Sequence, residues 1–242
     1  VRDRGEVVAA GRHAGLMDHI AAAALARTKD KIPPPSDAVF ESETRDIRDS
    51  LSIFLAAEEN LEEKGEAIAF EMEIAKRRIE IDRDRSFFLR GYIDRVDRLG
   101  QDTYRILDYK TGSAFDYEEL VEFGGGQKIQ HALYAVALEK ILSERPGGGT
   151  PRVTRSGYLF PSRRGEGLAR IIKDFDRDRL RSLLGDLLAL LQNGYFIAGP
   201  EAKCTYCDYR PVCGAGAPES SGRKREGSPG IFEAYDKLDE YK

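Results

Sequence analysis

The chain has 242 residues, 41% hydrophobic and 33% charged, with a formal net charge of −4. That is enough apolar material for an ordinary globular core, and no run approaches the roughly 20 apolar residues a bilayer span needs, nor does a signal-peptide pattern open the chain. A soluble, cytoplasmic protein with no membrane partner is expected, and the acidic balance excludes a broadly basic nucleic-acid-binding surface, leaving only local patches such as Lys76-Arg77-Arg78, Arg163-Arg164 and Arg223-Lys224-Arg225.

In chain order, helical spacing predicts a first helix over about residues 15–28, ended before Pro33-Pro34-Pro35, and a second over about 44–64, with Ile47, Leu51, Phe54, Leu55 and Leu61 on one stripe. Alternation then predicts a meander of three strands, near 68–74, 87–96 and 104–109. Gly124-Gly125-Gly126 opens a helix over about 127–142, followed by strands near 153–160 and 169–173. Leu180, Leu183, Leu184, Leu187, Leu188 and Leu191 mark an amphipathic helix over about 176–193, ended by Gly194. The cysteine loop comes next, and Gly, Ser, Pro and charge from 214 to 230 read as a flexible linker before a short final helix. The expected organisation is an N-terminal helical part over about 1–64, a catalytic core over about 65–198, a cysteine loop over 199–214, and a linker with a terminal helix over 215–242. Val1 in place of an initiator Met is read as the start of a fragment.

The chemistry concentrates at the ends of two strands. Residues two apart on a strand share a face, so Asp108 and Lys110 project together. If the preceding strand is a hairpin neighbour, Asp94 reaches the same edge. Two carboxylates and the backbone carbonyl of Tyr109 are hard oxygen donors suited to Mg2+ or Mn2+. Such an ion lowers the pKa of a bound water and offsets charge building on a phosphate, while Lys110 supplies a mobile positive charge. Taken alone, Asp-x-Lys is also what a surface ion pair looks like. Gln130 and Tyr134, four apart on the following helix, share a face and offer an amide and a phenol to a phosphate, a base edge or a bound water.

The order Gly91-x-x-Asp94, Asp108-Tyr109-Lys110-Thr111-Gly112, Gln130-x-x-x-Tyr134 resembles the RecB-like branch of the PD-(D/E)XK nuclease superfamily, the nuclease domains of bacterial helicase-nuclease complexes and related adaptation nucleases. The likeness runs roughly from Gly15 to Gly214. It implies an α/β fold, a central mixed sheet flanked by helices with the metal at the sheet's end. Asp94 and Asp108 become metal ligands, Lys110 a catalytic residue, and Gln130 and Tyr134 substrate-orienting groups. It also implies a histidine ligand on an early helix, assigned to His19 in Gly15-Leu-Met-Asp-His19 with His13 as competitor. An additional acid on the strand before Gly91 is implied, and Glu71 and Glu73 both qualify.

Cys204, Cys207 and Cys213 account for every cysteine. An odd-numbered set within ten residues of a cytosolic protein suits thiolate ligation better than disulfides. Their spacing is similar to the C-terminal triplet of the AddB-type iron-sulfur branch, in which an upstream cysteine completes a [4Fe-4S] cluster that staples the domain's ends. No upstream cysteine is present, so that ligand is expected before Val1; Zn2+ held with a histidine, or free thiols, are the alternatives. The functional expectation is a metal-dependent DNA exonuclease domain, fed single-stranded ends by a helicase in double-strand break repair and recombination. The alternative is a catalytically inactive DNA-binding or subunit-docking module of the same fold.

Overall fold

In the computed structural model, residues 8–117, 121–147, 149–195, 207–214 and 216–242 are described. The chain divides into two compact units. The first comprises Val1–Ile79, Phe88–Leu120 and Gln130–Phe175, and the second Glu80–Phe87, Val121–Ile129 and Asp176–Lys242. These boundaries differ from the expected ones near 64 and 198: the tip of the ribbon of the first two strands, Glu80–Phe87, and the segment with the Gly-rich turn, Val121–Ile129, fall in the second unit.

The first unit opens with helices α1 (Ala10–Lys31) and α2 (Asp37–Asn60), packed on each other. Ser36 caps α2 by accepting the Val39 N–H, and Asp37 places an acid in the first turn, where the helix dipole favours it. Strands β1 (Glu66–Glu80), β2 (Ser86–Gly100), β3 (Thr103–Tyr109), β4 (Arg152–Phe160) and β5 (Leu168–Lys173) form one sheet in the order β1-β2-β3-β4-β5. β2 and β3 are antiparallel, β3 and β4 parallel, and β4 and β5 antiparallel. The sheet is therefore mixed, as expected. A parallel neighbour requires a crossover, and helix α3 (Gln130–Ser143) provides it. Ala132, Ala135, Ala137 and Leu138 of α3 are fully buried, and the small alanine side chains let the helix lie close on β4.

β1 and β2 run longer than the alternation suggests, 15 residues each. β4 tolerates only glycine at position 157, where a Cβ would lie 2.0 Å from the Arg170 carbonyl oxygen of β5.

In the second unit, α4 (Arg177–Gln192) starts at Asp176, whose carboxylate accepts the N–H groups of Asp178 and Arg179. It buries Leu180, Leu183, Leu184 and Leu190, while Leu191 stays 57% exposed. A single turn, α5, covers Arg210–Cys213. The linker expected over 214–230 is instead a helix, α6 (Ala217–Gly227), followed by the short helix α7 (Pro229–Asp236) where a final helix was expected. Glu219 in the first turn of α6 and Lys224 and Arg225 in its last complement the helix dipole, an arrangement that composition alone hides. The C-terminal end is held on α4: Asp186 accepts from Lys237 Nζ at 2.8 Å and from the Tyr241 hydroxyl at 2.7 Å. Phe232, Leu238 and Tyr241 are buried. Among the described residues, no helix is long and apolar enough to cross a membrane.

Candidate active site

The β2–β3 pairing decides which side chains meet. Arg95 lies opposite Leu107 and Asp97 opposite Arg105. Continuing that register by one residue brings Asp94 opposite Asp108, at the end of β3. Alternation then sends Asp108 and Tyr109 to opposite faces of the sheet. Asp108 turns toward α3, where its Oδ1 accepts from Gln130 Nε2 at 2.9 Å. Tyr109 turns toward α2, with its ring edge-on to Phe54 at 5.8 Å between centroids and its hydroxyl 3.3 Å from an Arg95 nitrogen.

On the α3 face, Lys110 Nζ lies 2.5 Å from Asp108 Oδ2 and 3.4 Å from Gln130 Oε1. Asp94 Oδ2 accepts the Tyr109 backbone N–H at 2.7 Å, which fixes it beside Asp108. The structure thus brings Asp94, Asp108, Lys110 and Gln130 together. Tyr134 stands one turn along α3 and packs on Gly91, where a Cβ would lie 2.8 Å from its hydroxyl oxygen. That close approach is the physical reason for glycine at the head of Gly91-x-x-Asp94.

The electrostatics are unusual for an ion pair. Burial raises the Asp108 pKa against the lowering pull of Lys110, and the neighbouring Asp94 charge pushes the same way as burial. Burial also works against the Lys110 ammonium, but the close contact and charge of the Asp108 carboxylate, with Tyr117 and Asp94 behind, outweigh it and raise the Lys110 pKa. Asp108 Oδ2 is buried and has no hydrogen bond of good geometry, only ion-pair contact with Lys110. A buried oxygen met only by the Lys110 ammonium, beside a second carboxylate and in a site where negative charge is disfavoured, fits a hard divalent cation.

One further residue escaped the sequence reading. Tyr158 lies beside Asp108 in the parallel β3–β4 register, with Lys110 Nζ 5.6 Å above its ring centre and Tyr117 tilted on it at 4.6 Å. Burial raises its pKa, helped by Tyr117 and Asp108. Only the strand pairing could have revealed it.

The other expected ligands lie elsewhere. His19 is exposed on α1; His13, six residues earlier and so some 240° around the helix, is the buried one. His13 lines a cleft of about 630 Å3 with Phe54, Glu58 and Arg95, a cleft lined by neither Asp94 nor Asp108. Glu71 and Glu73 are both exposed, and Glu71 takes φ 47°, which breaks the regular alternation expected to put them on one face. Among the described residues, no three His, Cys, Asp or Glu side chains gather as a metal-ligating group, so none of these joins Asp94 and Asp108. Cys204 lies outside the described residues; Cys207 and Cys213 are free and exposed.

Comparison with known proteins agrees with this geometry. The chain is similar to one of the subunits of the ATP-dependent helicase/deoxyribonuclease of Clostridium perfringens, 42% identical over 76 residues in two strains and 41% in a third. The match covers 30% of this chain and 6% of the length of those proteins. The model of the PD-(D/E)XK nuclease superfamily matches residues 8–214, a span that holds both sheet-edge carboxylates, the lysine and the α3 amide. The chain belongs to the PD-(D/E)XK nuclease superfamily.

Proposed function

We propose that this domain is a Mg2+- or Mn2+-dependent deoxyribonuclease, an exonuclease module that receives single-stranded ends from a helicase during double-strand break repair in the cytoplasm. The observation carrying this reading is the convergence of Asp94, Asp108, Lys110 and Gln130 at one sheet edge, with the buried Asp108 Oδ2 met only by the Lys110 ammonium. The names of the similar proteins support the substrate and the motor partner.

Asp94 and Asp108 would hold the cation, with the Tyr109 carbonyl as a further oxygen donor. When bound, the cation acidifies a water and offsets charge on the phosphate. Lys110, already beside Asp108, places a proton-bearing cation where the phosphate oxygens gain charge. Gln130 holds Asp108 from the α3 side and leaves its other oxygen to the Lys110 ammonium. The thiols of Cys204, Cys207 and Cys213 would supply three ligands to an iron-sulfur cluster or to Zn2+, which iron, sulfide and zinc analysis of the purified protein distinguishes.

The test is degradation of single-stranded DNA with Mg2+ or Mn2+. The expected result is cleavage lost in an Asp108→Ala, Lys110→Ala double variant. A wild-type rate no greater than that of the double variant rejects the reading in favour of a DNA-holding module.

A further inference from the structure

β3 ends at Tyr109, and the register places Asp94 of β2 opposite Asp108. The part of β2 before Asp94 therefore runs on past the end of β3, beyond the edge that carries the carboxylates. Along this stretch burial alternates. Phe88 is 59% and Tyr92 55% exposed, with Arg90 exposed between them, whereas Leu89 and Gly91 are half-buried and Ile93 is buried. The open side of a strand whose other side is covered ordinarily carries polar residues. Two exposed aromatic rings flanking an arginine depart from that pattern.

Several cations elsewhere in the same unit are ion-paired, while others, such as Arg45 and Arg164, have no carboxylate partner among the described residues. Arg77 pairs with Glu144, Arg98 with Glu66, Arg152 with Asp174 and Arg163 with Asp49. Lys76 of β1 instead lies over the Phe88 ring, 4.5 Å from its centre, and has no carboxylate partner among the described residues. The Arg90 guanidinium makes no hydrogen bond or ion pair with the described residues. In a chain of net charge −4, with acids enough to neutralise them, two unpaired cations interleaved with two exposed rings match a polyanion that also presents flat apolar faces.

We propose that Phe88, Arg90 and Tyr92 of β2, with Lys76 of β1, form a track for single-stranded nucleic acid leading to the carboxylate edge, the rings stacking on bases and the cations meeting phosphates. Two residues of strand advance roughly 6.6–6.8 Å, comparable to the step between nucleotides of an extended single strand. Stacking on aromatic rings tolerates any base, and a basic lining follows the backbone. A duplex keeps its bases within its own stack and cannot use the rings. The inference rests on the nuclease reading and adds to it the surface along which the strand arrives.

The experiment measures, on the full chain in EDTA, the fluorescence anisotropy of a labelled oligothymidylate of about 20 nucleotides, longer than one stacking site spans, and of a duplex of the same length. Removing both rings (Phe88→Ala, Tyr92→Ala) is expected to weaken single-strand binding at least about tenfold. The ring-preserving pair Phe88→Tyr, Tyr92→Phe is expected to bind as wild type does, which separates stacking from loss of fold. Arg90→Ala should reduce the slope of log affinity against log salt by about one phosphate contact. Affinity of the ring-less variant within about twofold of wild type, well short of one stacked base, overturns the proposal, as does wild-type protein that binds no single strand, or binds duplex equally well with the same loss. Metal-dependent cleavage is assayed separately. Cleavage with unaffected binding in the ring-less variant sinks the track alone, whereas ring-dependent binding without any cleavage sinks the nuclease reading and leaves the track.

Discussion

The β2–β3 pair carries charged groups on both faces, and the two faces treat them oppositely. Toward α2, Arg95 donates to Glu58 at 2.5 Å and to Asp97 at 2.6 Å, and Arg105 donates to the other Asp97 oxygen at 2.9 Å and to the Glu63 carbonyl at 2.6 Å. Asp97 is 0% and Arg105 1% exposed, so each charge is fully dried and fully answered. Toward α3, one to three residues along the same strands, Asp108 keeps a buried oxygen met only by the Lys110 ammonium, and Lys110 remains a third exposed at its side chain. A buried carboxylate by itself therefore indicates little. A satisfied one holds strands and helix together, and one left short of partners is available to something that arrives.

Substitutions should split the two faces in opposite ways. The largest effect is expected at Asp97→Ala, which strands two buried guanidinium groups and should lower stability by about 3–5 kcal/mol, measured by denaturant unfolding; a loss under about 1 kcal/mol would erase the contrast. Next is Asp108→Asn. If the α3 face is reactive rather than structural, metal-dependent cleavage falls at least about a hundredfold, or ~3 kcal/mol of barrier, while stability at neutral pH holds or rises. The sign follows from the raised Asp108 pKa. The fold prefers the protonated acid, so this group's stability is present in full below the ordinary carboxylate pKa and lost as pH rises through its folded value. Stability of the wild type relative to Asp108→Asn should therefore climb on acidification.

A smaller effect is expected at Gly91→Ala, where a new methyl would meet the Tyr134 hydroxyl at 2.8 Å. The flexible ring can yield, so about 1 kcal/mol of stability is expected to be lost, with a larger loss of cleavage than of stability if Tyr134 orients substrate. The smallest lies outside the sheet. Burial, with the Asp186 hydrogen bond, lifts the Tyr241 pKa to about 12. A raised tyrosine stabilises the fold below its ordinary pKa near about 10 and loses that contribution as pH rises through the folded value. Tyr241→Phe should flatten the alkaline fall in melting temperature between about pH 10 and 12; an unchanged profile would place the alkaline transition elsewhere.

Much of this was readable in advance where local rules suffice. Alternation located β2 and β3, and a two-residue period put Asp108 and Lys110 on one face from the sequence alone. Where distant segments decide, reading failed. Tyr158 enters the site only through the parallel register of β3 and β4, which no local pattern encodes. The choice between His13 and His19 depends on which face of α1 meets the rest of the unit, and an alanine-rich helix gives little periodic signal. Glu71 breaks the alternation of β1 with a left-handed backbone that a glutamate seldom takes. The helical stretch after Gly216 looks like a linker because Gly, Ser and Pro are interleaved with its few helix formers and leave no apolar stripe.

Tyr109 is gripped from both sides of the sheet, its amide by Asp94 and its ring and hydroxyl by Phe54 and Arg95. Strand ends ordinarily fray, opening and closing at little cost, and a hydrolytic centre mounted on such an end would flicker out of alignment. Here the terminal residue is riveted to the innermost salt network, so its amide should exchange with deuterium as slowly as those of Ile106 and Leu107, and catalytic competence should persist until the domain melts as a whole.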